Sequence, residues 1–478
     1  MENQDTHQKH FKRGIEAYRQ AERWLYTLIK DPSGERYFQQ KSMEVRMLEF
    51  VEQIERTQAF MDFWDNPEKV YPIIHVAGTS GKGSVVRLIS GLLSAVGLRV
   101  GYHVSPYLQV CNEKLIVDNR MISPSGFVAL VEDFKTTYQE WLQNQHRYDS
   151  LKYGEAWVAM TLRWMATQQV DWAVIETGLG GRYDPTNIVP SQLAVITNVH
   201  YDHIEVLGEE LTQIAGHKAG IIKTGSLAIT AETNPEALAV IEAEAEQKQA
   251  RLFRLGHEFD YQVRQAGGAV LLSVQGVYHN YENLRIAMSG EFQQVNAALA
   301  VASVDLLAGQ GNFNLTQQQV RQGVAVKFPG RFEIVQEDPL VILDGAHNQH
   351  KAAALAKSLG QSFPGRKMTV VLGTLSIKDF SGIVRALAPL TEQWVATQPK
   401  VLGKPSTSPE ELAEAILAET PDAKISMTED VGAAIQLARK MVGQEGIILV
   451  TGSLYMLGDA RSVWFPVDQI LEDLEDAA

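Results

Sequence analysis

The sequence predicts an α/β protein: a P-loop-type domain with a mainly parallel sheet, followed by a smaller Rossmann-like α/β domain. Three observations carry this. Short apolar segments, YPIIHV, DWAVIET, QLAVITNV and SLAIT, alternate with stretches of helical period, the pattern of parallel strands joined by crossover helices. The glycine-rich turn GTSGKGS links the first of these segments to a helix. The alternation then restarts late in the chain, in LVILDGAHN, MTVVLGT and GIILVTGS.

In chain order, residues 1–70 read as a helical lead-in, with periodic apolar positions in AYRQAERWLYTLI and MLEFVEQIERTQAFMDFW. After the turn, Val85, Leu88, Ile89, Leu92, Leu93 and Val96 recur at helical spacing, and Gly97 supplies a stop. Residues 255–292 look irregular or hairpin-like, and a helix follows in QQVNAALAVASVDLLA. KFPGRFEIV, residues 327–335, brings Pro and Gly at a change of texture. The expected domains are therefore 1–326 and 327–478. The acidic end, DQILEDLEDAA, reads as a solvated helix end.

At 478 residues, 45% hydrophobic and 21% charged, the chain is too long for one ordinary core and has the balance of a soluble globular protein. A formal net charge of −14 argues against nucleic acid as a partner, and any anionic ligand must be met by local cations. Cys111 is the single cysteine, which leaves no disulfide framework or thiolate metal cluster. The polar start MENQDTHQKHFKRG has no signal-peptide core, and no apolar run approaches the roughly 18 residues of a membrane span. A cytoplasmic protein is expected.

Ligands of open α/β sheets bind beyond the carboxyl ends of strands, and the polar residues gather there. The loop offers Gly78, Thr79, Ser80, Gly81, Lys82, Gly83 and Ser84. It departs from the strict GxxxxGK[ST] pattern, with Val76 at the first glycine and Gly83 where a hydroxyl would follow the lysine. Successive N–H groups at a helix start still suit phosphate, against a plain structural turn. Glu176 ends a strand before GLGGRYDPTN and suits Mg²⁺ beside phosphate oxygens, or is only a charged strand end. His200, Asp202 and His203 lack the pattern of a zinc site, and His203 fits better as one ligand of a phosphate-bound ion. Lys218, in IAGHKAGIIK, reads by default as a surface lysine. Asp344 and His347 in VILDGAHN, and Thr451 and Ser453 in LVTGSLYMLG, leave later strand ends, where helix capping is the simpler explanation. Five such clusters suggest two domains facing one site.

Taken together and in order, HVAGTSGKGS, SPYLQVCNEKL, ETGLGGRYDPTN, DHIEVLG, IAGHKAGI, FQQVNAALA, PGRFEI, LDGAHN and VTGSLYMLG resemble the folylpolyglutamate synthase/dihydrofolate synthase family, a branch of the Mur-ligase-like enzymes. The resemblance implies a monomeric two-domain ligase with ATP and Mg²⁺ in the interdomain cleft. A carboxylate of folate or dihydropteroate would attack the γ-phosphate, and the amine of L-glutamate would then displace phosphate from the acyl phosphate. It implies Lys82 on the outer phosphates, Ser105, Glu176 and His203 as metal ligands with Ser84 near the first ion, and Lys218 as a carbamate. Asn296 and Arg331 would hold the nucleotide, Asp344 and His347 would face ATP from the second domain, and Ser453 would lie near the incoming glutamate. Lys82, Lys218 and His347 are the residues implied for catalysis. The chain departs from the family pattern at Tyr107, Lys114, Gly154, His217 and Phe292. The alternatives are a Mur-type ligase with another acceptor, a nucleotide-binding module without catalysis, and a simple kinase.

Overall fold

The computed structural model describes residues 2–35, 43–144, 147–266, 269–288, 290–376 and 380–477. Its first sheet contains β1 (Ile73–Ala77), β2 (Val100–His103), β3 (Ile116–Val117), β4 (Arg120–Met121), β5 (Trp172–Glu176), β6 (Leu193–Ile196), β7 (Leu227–Thr230) and β8 (Arg251–Arg254). The spatial order is β4-β3-β2-β5-β1-β6-β7-β8, parallel except around β3 and β4. β1 thus lies between β5 and β6, with Val76 opposite Glu176 and Ala77 opposite Ile196. That placement brings three carboxyl ends together.

Helices cover both faces. They include α1 (Glu2–Tyr26), α2 (Met43–Phe63), α3 (Lys82–Val96), α4 (Pro124–Asn144), α5 (Tyr153–Thr167), α6 (Ile204–Leu207), α7 (Leu211–Ala219), α8 (Pro235–Gln247) and α9 (Glu291–Gly309). Strand alternation sends Ile74 and Val76 into a core shared with α3 and α9. Ile73 faces the aromatic core built by α1, α2, α4 and α5. A bidentate pair locks the lead-in to this core: Arg56 Nε and Nη2 donate to the two Glu155 oxygens at 2.8 and 2.7 Å.

The hairpin expectation holds, as β9 (Asp260–Ala266), β10 (Ala269–Gln275) and β11 (Asn280–Leu284) form a three-stranded antiparallel sheet. The last sheet contains β12 (Glu333–Gln336), β13 (Leu340–Leu343), β14 (Met368–Leu372), β15 (Thr391–Ala396), β16 (Lys424–Met427) and β17 (Ile447–Thr451). Its order is β12-β13-β17-β14-β15-β16, so β13 and β17 are neighbours although about 100 residues separate them in sequence.

The acidic end differs from expectation. Val467, Ile470 and Leu471 make an apolar stripe on the helix Val467–Asp476, and Leu471 is buried in the aromatic core of the first unit. Arg19 pairs with Asp468 at 2.9 Å and Ser125 N donates to Glu475 at 2.9 Å. The helix is acidic on one face and docked by the other.

Candidate active site

The glycine-rich loop is held open by its neighbour strand. Ser80 N donates to Asn198 Oδ1 (2.9 Å), Thr197 Oγ1 donates to Ser80 O (2.6 Å), and Thr79 N donates to Asn198 O (2.9 Å). A Cβ on Gly78 would stand 1.8 Å from Thr197 Oγ1, so no larger residue fits there. Gly81 takes φ +82° at the start of α3, and a Cβ there would meet Asn296 Oδ1 at 2.4 Å. The Lys82 ammonium curls back to Gly78 O at 3.1 Å, over the space enclosed by the loop. Ser84 Oγ accepts from Gln293 Nε2 (3.1 Å), and Gln293 Oε1 accepts from Asn296 Nδ2 (2.9 Å), so α9 braces the loop from behind.

The departure at Gly83 has a steric reason. A Cβ there would lie 2.9 Å from the Phe328 ring and 3.3 Å from Glu176 Oε2. The position is kept bare so that the interdomain segment and the end of β5 can approach α3.

Glu176 is buried and accepts from Ser105 N at 3.1 Å. Burial raises its carboxyl, and Lys82, the Ser105 N–H, Arg331 and Lys114 oppose that. Arg331 belongs to the second unit. Its guanidinium is pushed down by burial and held up by Asp344 and Glu176. Asp344 is itself fixed, accepting from Phe332 N (2.8 Å) and Ala346 N (2.9 Å). A chain of alternating charge therefore runs Lys82, Glu176, Arg331, Asp344 across the seam.

A second group lies on the other side of Lys82. Lys218 is 3% exposed, which corrects the surface-lysine reading. The turn containing Gly180 and Gly181 packs directly on α7, since a Cβ at Gly181 would stand 2.7 Å from His217 O and 3.3 Å from Lys218 Cα. Arg182 N and Asn187 Nδ2 tie the turn to His217 O and Gly220 O. Burial, then Lys82, push the Lys218 ammonium down to about 7, while Asp202 opposes. Asp202 faces Lys351 of the second unit at 3.8 Å and accepts from Asn348 Nδ2 at 3.5 Å. His203 takes φ 52° at the start of α6, its ring 3.8 Å from Asp202 and 3.5 Å from Glu205. His347 Nδ1 is 2.8 Å from Gly345 O, which can only accept, so that nitrogen carries the proton. Its Nε2 then faces the Lys351 ammonium at 2.9 Å.

Ser453 does what the capping reading expected, accepting from Tyr455 N at 3.2 Å at a helix start. Sequence reasoning passed over Thr197, Asn198, Asp184 and Lys351. Asp184 accepts from Leu179 N, Thr186 N and Thr186 Oγ1 and so shapes the glycine-rich turn. The signal for Asn198 was its place just after a strand, but only the pairing of β6 with β1 puts it under the loop.

The donors suit a magnesium ion with a phosphate ligand. Among the described residues no group of three His, Cys, Asp or Glu side chains converges as in an all-protein cage. A single buried carboxylate with serine hydroxyls beside a phosphate loop leaves coordination positions to phosphate and water, as Mg²⁺ prefers.

A phosphate loop on one sheet, facing a Rossmann-like unit across a charged seam, defines a Mur-type ligase. Residues 76–304 match the Mur ligase middle domain, and residues 330–454 match the Mur ligase, glutamate ligase domain. The chain belongs to the dihydrofolate synthase/folylpolyglutamate synthase family. It is 35% identical to the dihydrofolate synthase/folylpolyglutamate synthase of Bacillus subtilis, over 85% of this chain and 93% of that one. It is 34% identical to that of Mycobacterium tuberculosis, over 86% and 89%. The solved Mycobacterium tuberculosis folylpolyglutamate synthase complexed with ADP superposes with a TM-score of 0.84 at 32% identity, covering 94% of this chain and 99% of that one.

Proposed function

We propose that this protein joins L-glutamate to the carboxylate of a folate or dihydropteroate, using ATP and an acyl-phosphate intermediate. The observation that carries this is the buried Glu176 carboxylate, with Lys82 of the loop on one side and Arg331 of the second unit on the other. Phosphoryl transfer asks chiefly for positioning and charge neutralisation, and this arrangement provides both.

In this reading the N–H groups of residues 78–84 cradle the phosphates, and Lys82 leaves Gly78 O for the outer phosphate. Asn296 and Arg331 hold the nucleotide, and Asp344 orients Arg331. Glu176, with Ser84 and Ser105, would hold one Mg²⁺, and His203 with Lys218 a second. Bound there, the metal neutralises the triphosphate as charge develops. Lys218 serves as its carbamate, which converts a cation into an anion. His347, fixed through Gly345 O, stands with Lys351 where the second unit closes, and Ser453 lies on the glutamate side. Closure keeps water from the acyl phosphate.

The units divide near residue 327, giving 1–326 and 327–478; the change of sheet at β12 supports that division. All these groups come from one chain, which supports a monomer. No helix of the described residues is long and apolar enough to cross a membrane, in keeping with the cytoplasm as its compartment.

The test is phosphate release by purified protein given dihydropteroate and tetrahydrofolate side by side, with and without L-glutamate. Release that needs both acceptor and glutamate supports the reading. ATP turnover that ignores every folate acceptor overturns it in favour of another acceptor, and a phosphorylated product without an amide would indicate a kinase.

A further inference from the structure

We infer that Lys114 is a substrate-positioning residue whose ammonium holds the reacting carboxylate of the acceptor beside the phosphate end of the loop. The inference rests on the ligase reading above.

Lys114 is 8% exposed, and among the described residues its ammonium makes no hydrogen bond or ion pair. The ammonium lies over the Trp157 ring face, 5.3 Å from its centre. Arg56, also buried, is satisfied by Glu155, and the partly buried Lys223 by Asn187 O and Oδ1 at 2.6 and 2.8 Å; among the described residues Lys218 is the other buried ammonium with no such bond. A desolvated ammonium without an acceptor is costly unless a ligand brings one. Burial depresses Lys114 to about 8, Glu176 is the main opposing influence, and Lys404 from the second unit adds a like charge. Lys404 itself is held at Tyr455, its ammonium over that ring and bonded to the hydroxyl, which leaves Lys114 as the cation to be met by an anion.

The position of that anion follows from shared neighbours. Lys114 O lies 3.3 Å from the ring of His103, two residues before Ser105, whose N–H donates to Glu176 at 3.1 Å. A Cβ on Gly83 of the loop would stand 3.3 Å from the same carboxylate, so a carboxylate on Lys114 and a phosphate on the loop meet around one side chain. The local fold frees Lys114 for this. Glu113 accepts from Leu108, Gln109 and Val110 N–H groups (2.7, 2.8 and 3.2 Å), and Asn112 donates to Ile122 O (2.7 Å). These bonds stiffen the segment and leave the next side chain directed inward.

The acceptor, rather than glutamate, is favoured by the adjoining aromatic wall. Trp157 and Tyr153 lie 6.2 Å apart, Tyr153 and Tyr26 6.1 Å, and the Tyr26 and Tyr107 hydroxyls 3.0 Å. Trp157 is buried against Phe127, whereas Tyr26, Tyr107 and Tyr153 are partly exposed, so the tyrosines offer the face that suits a flat heteroaromatic group whose carboxylate end reaches Lys114.

The full-length protein is assayed with Mg-ATP, L-glutamate and whichever of tetrahydrofolate or dihydropteroate the wild type uses. Losing a charged hydrogen bond should raise the acceptor KM of Lys114→Met by about 10- to 100-fold, with the KM for ATP and glutamate unchanged. Lys114→Arg should restore the acceptor KM. Ligand-free Lys114→Met should melt no lower than wild type, because it removes an unpaired buried charge. An unchanged acceptor KM, a rise in the glutamate KM instead, a lower melting temperature with all KM values unmoved, or no restoration by arginine would each overturn the inference. Wild-type protein that uses no folate acceptor would overturn the ligase reading itself, and that measurement comes before any variant.

Discussion

Carbamylation of Lys218 requires the free amine: the nitrogen attacks CO₂, the N–C bond forms, and a proton leaves. Burial beside Lys82 pushes this lysine down to about 7. At about pH 7.5 roughly three-quarters of the side chain is then free amine, against about one in a thousand for an ordinary lysine, an enrichment of roughly 700-fold. The direction of the pH dependence follows. Protein equilibrated with bicarbonate should gain activity as pH rises through about 7 and then level off, rather than climbing to the ordinary lysine range. Lys351 also depresses Lys218, so Lys351→Met should move that rise to higher pH. Protein stripped of CO₂ should lose activity and regain it with ¹³C-bicarbonate, with a carbamate carbon appearing by NMR. Lys218→Met should lose on the order of 100-fold in kcat, and short carboxylates should partly rescue Lys218→Ala. Full activity without CO₂ across this pH range, or an active Lys218→Met, would refute the reasoning.

Three other outcomes are expected. Gly83→Ser supplies the hydroxyl that the strict loop pattern has after its lysine but drives its Cβ toward Phe328 at 2.9 Å; overpacking should cost about 1–3 kcal/mol in urea unfolding, and adding Phe328→Ala should recover much of it. Glu176→Gln strips the counter-charge shared by Lys82, Arg331 and Lys114; phosphate release should fall by on the order of 100-fold, with a steeper magnesium requirement in titrations. Arg56→Ala leaves Glu155 buried and uncompensated, so unfolding free energy should drop by about 3–5 kcal/mol while KM values stay put.

The elements of this fold are legible because strands and crossover helices have different periods, and the loop glycines announce a turn. Their neighbours are not. Asn198 under the loop depends on β6 pairing with β1, and the placement of Asp344 beside the end of β17, its N–H donating to Val450 O, depends on β13 pairing with β17. No local pattern encodes either. Burial of Lys218 was likewise invisible, because the turn that covers it is about 35 residues upstream. The docked acidic helix shows the reverse error: net charge hid a three-residue apolar stripe. The order of motifs conveyed more than any single motif, since it carried the resemblance to a known ligase family.

The central claim is that a triphosphate gripped between Lys82 and Arg331 activates a carboxylate for amide formation. Its most direct test is turnover with an acceptor labelled with ¹⁸O in the reacting carboxylate. The account predicts one labelled oxygen in the released phosphate for every amide bond made, and no such transfer by Lys82→Ala. Unlabelled phosphate accompanying amide formation would contradict it.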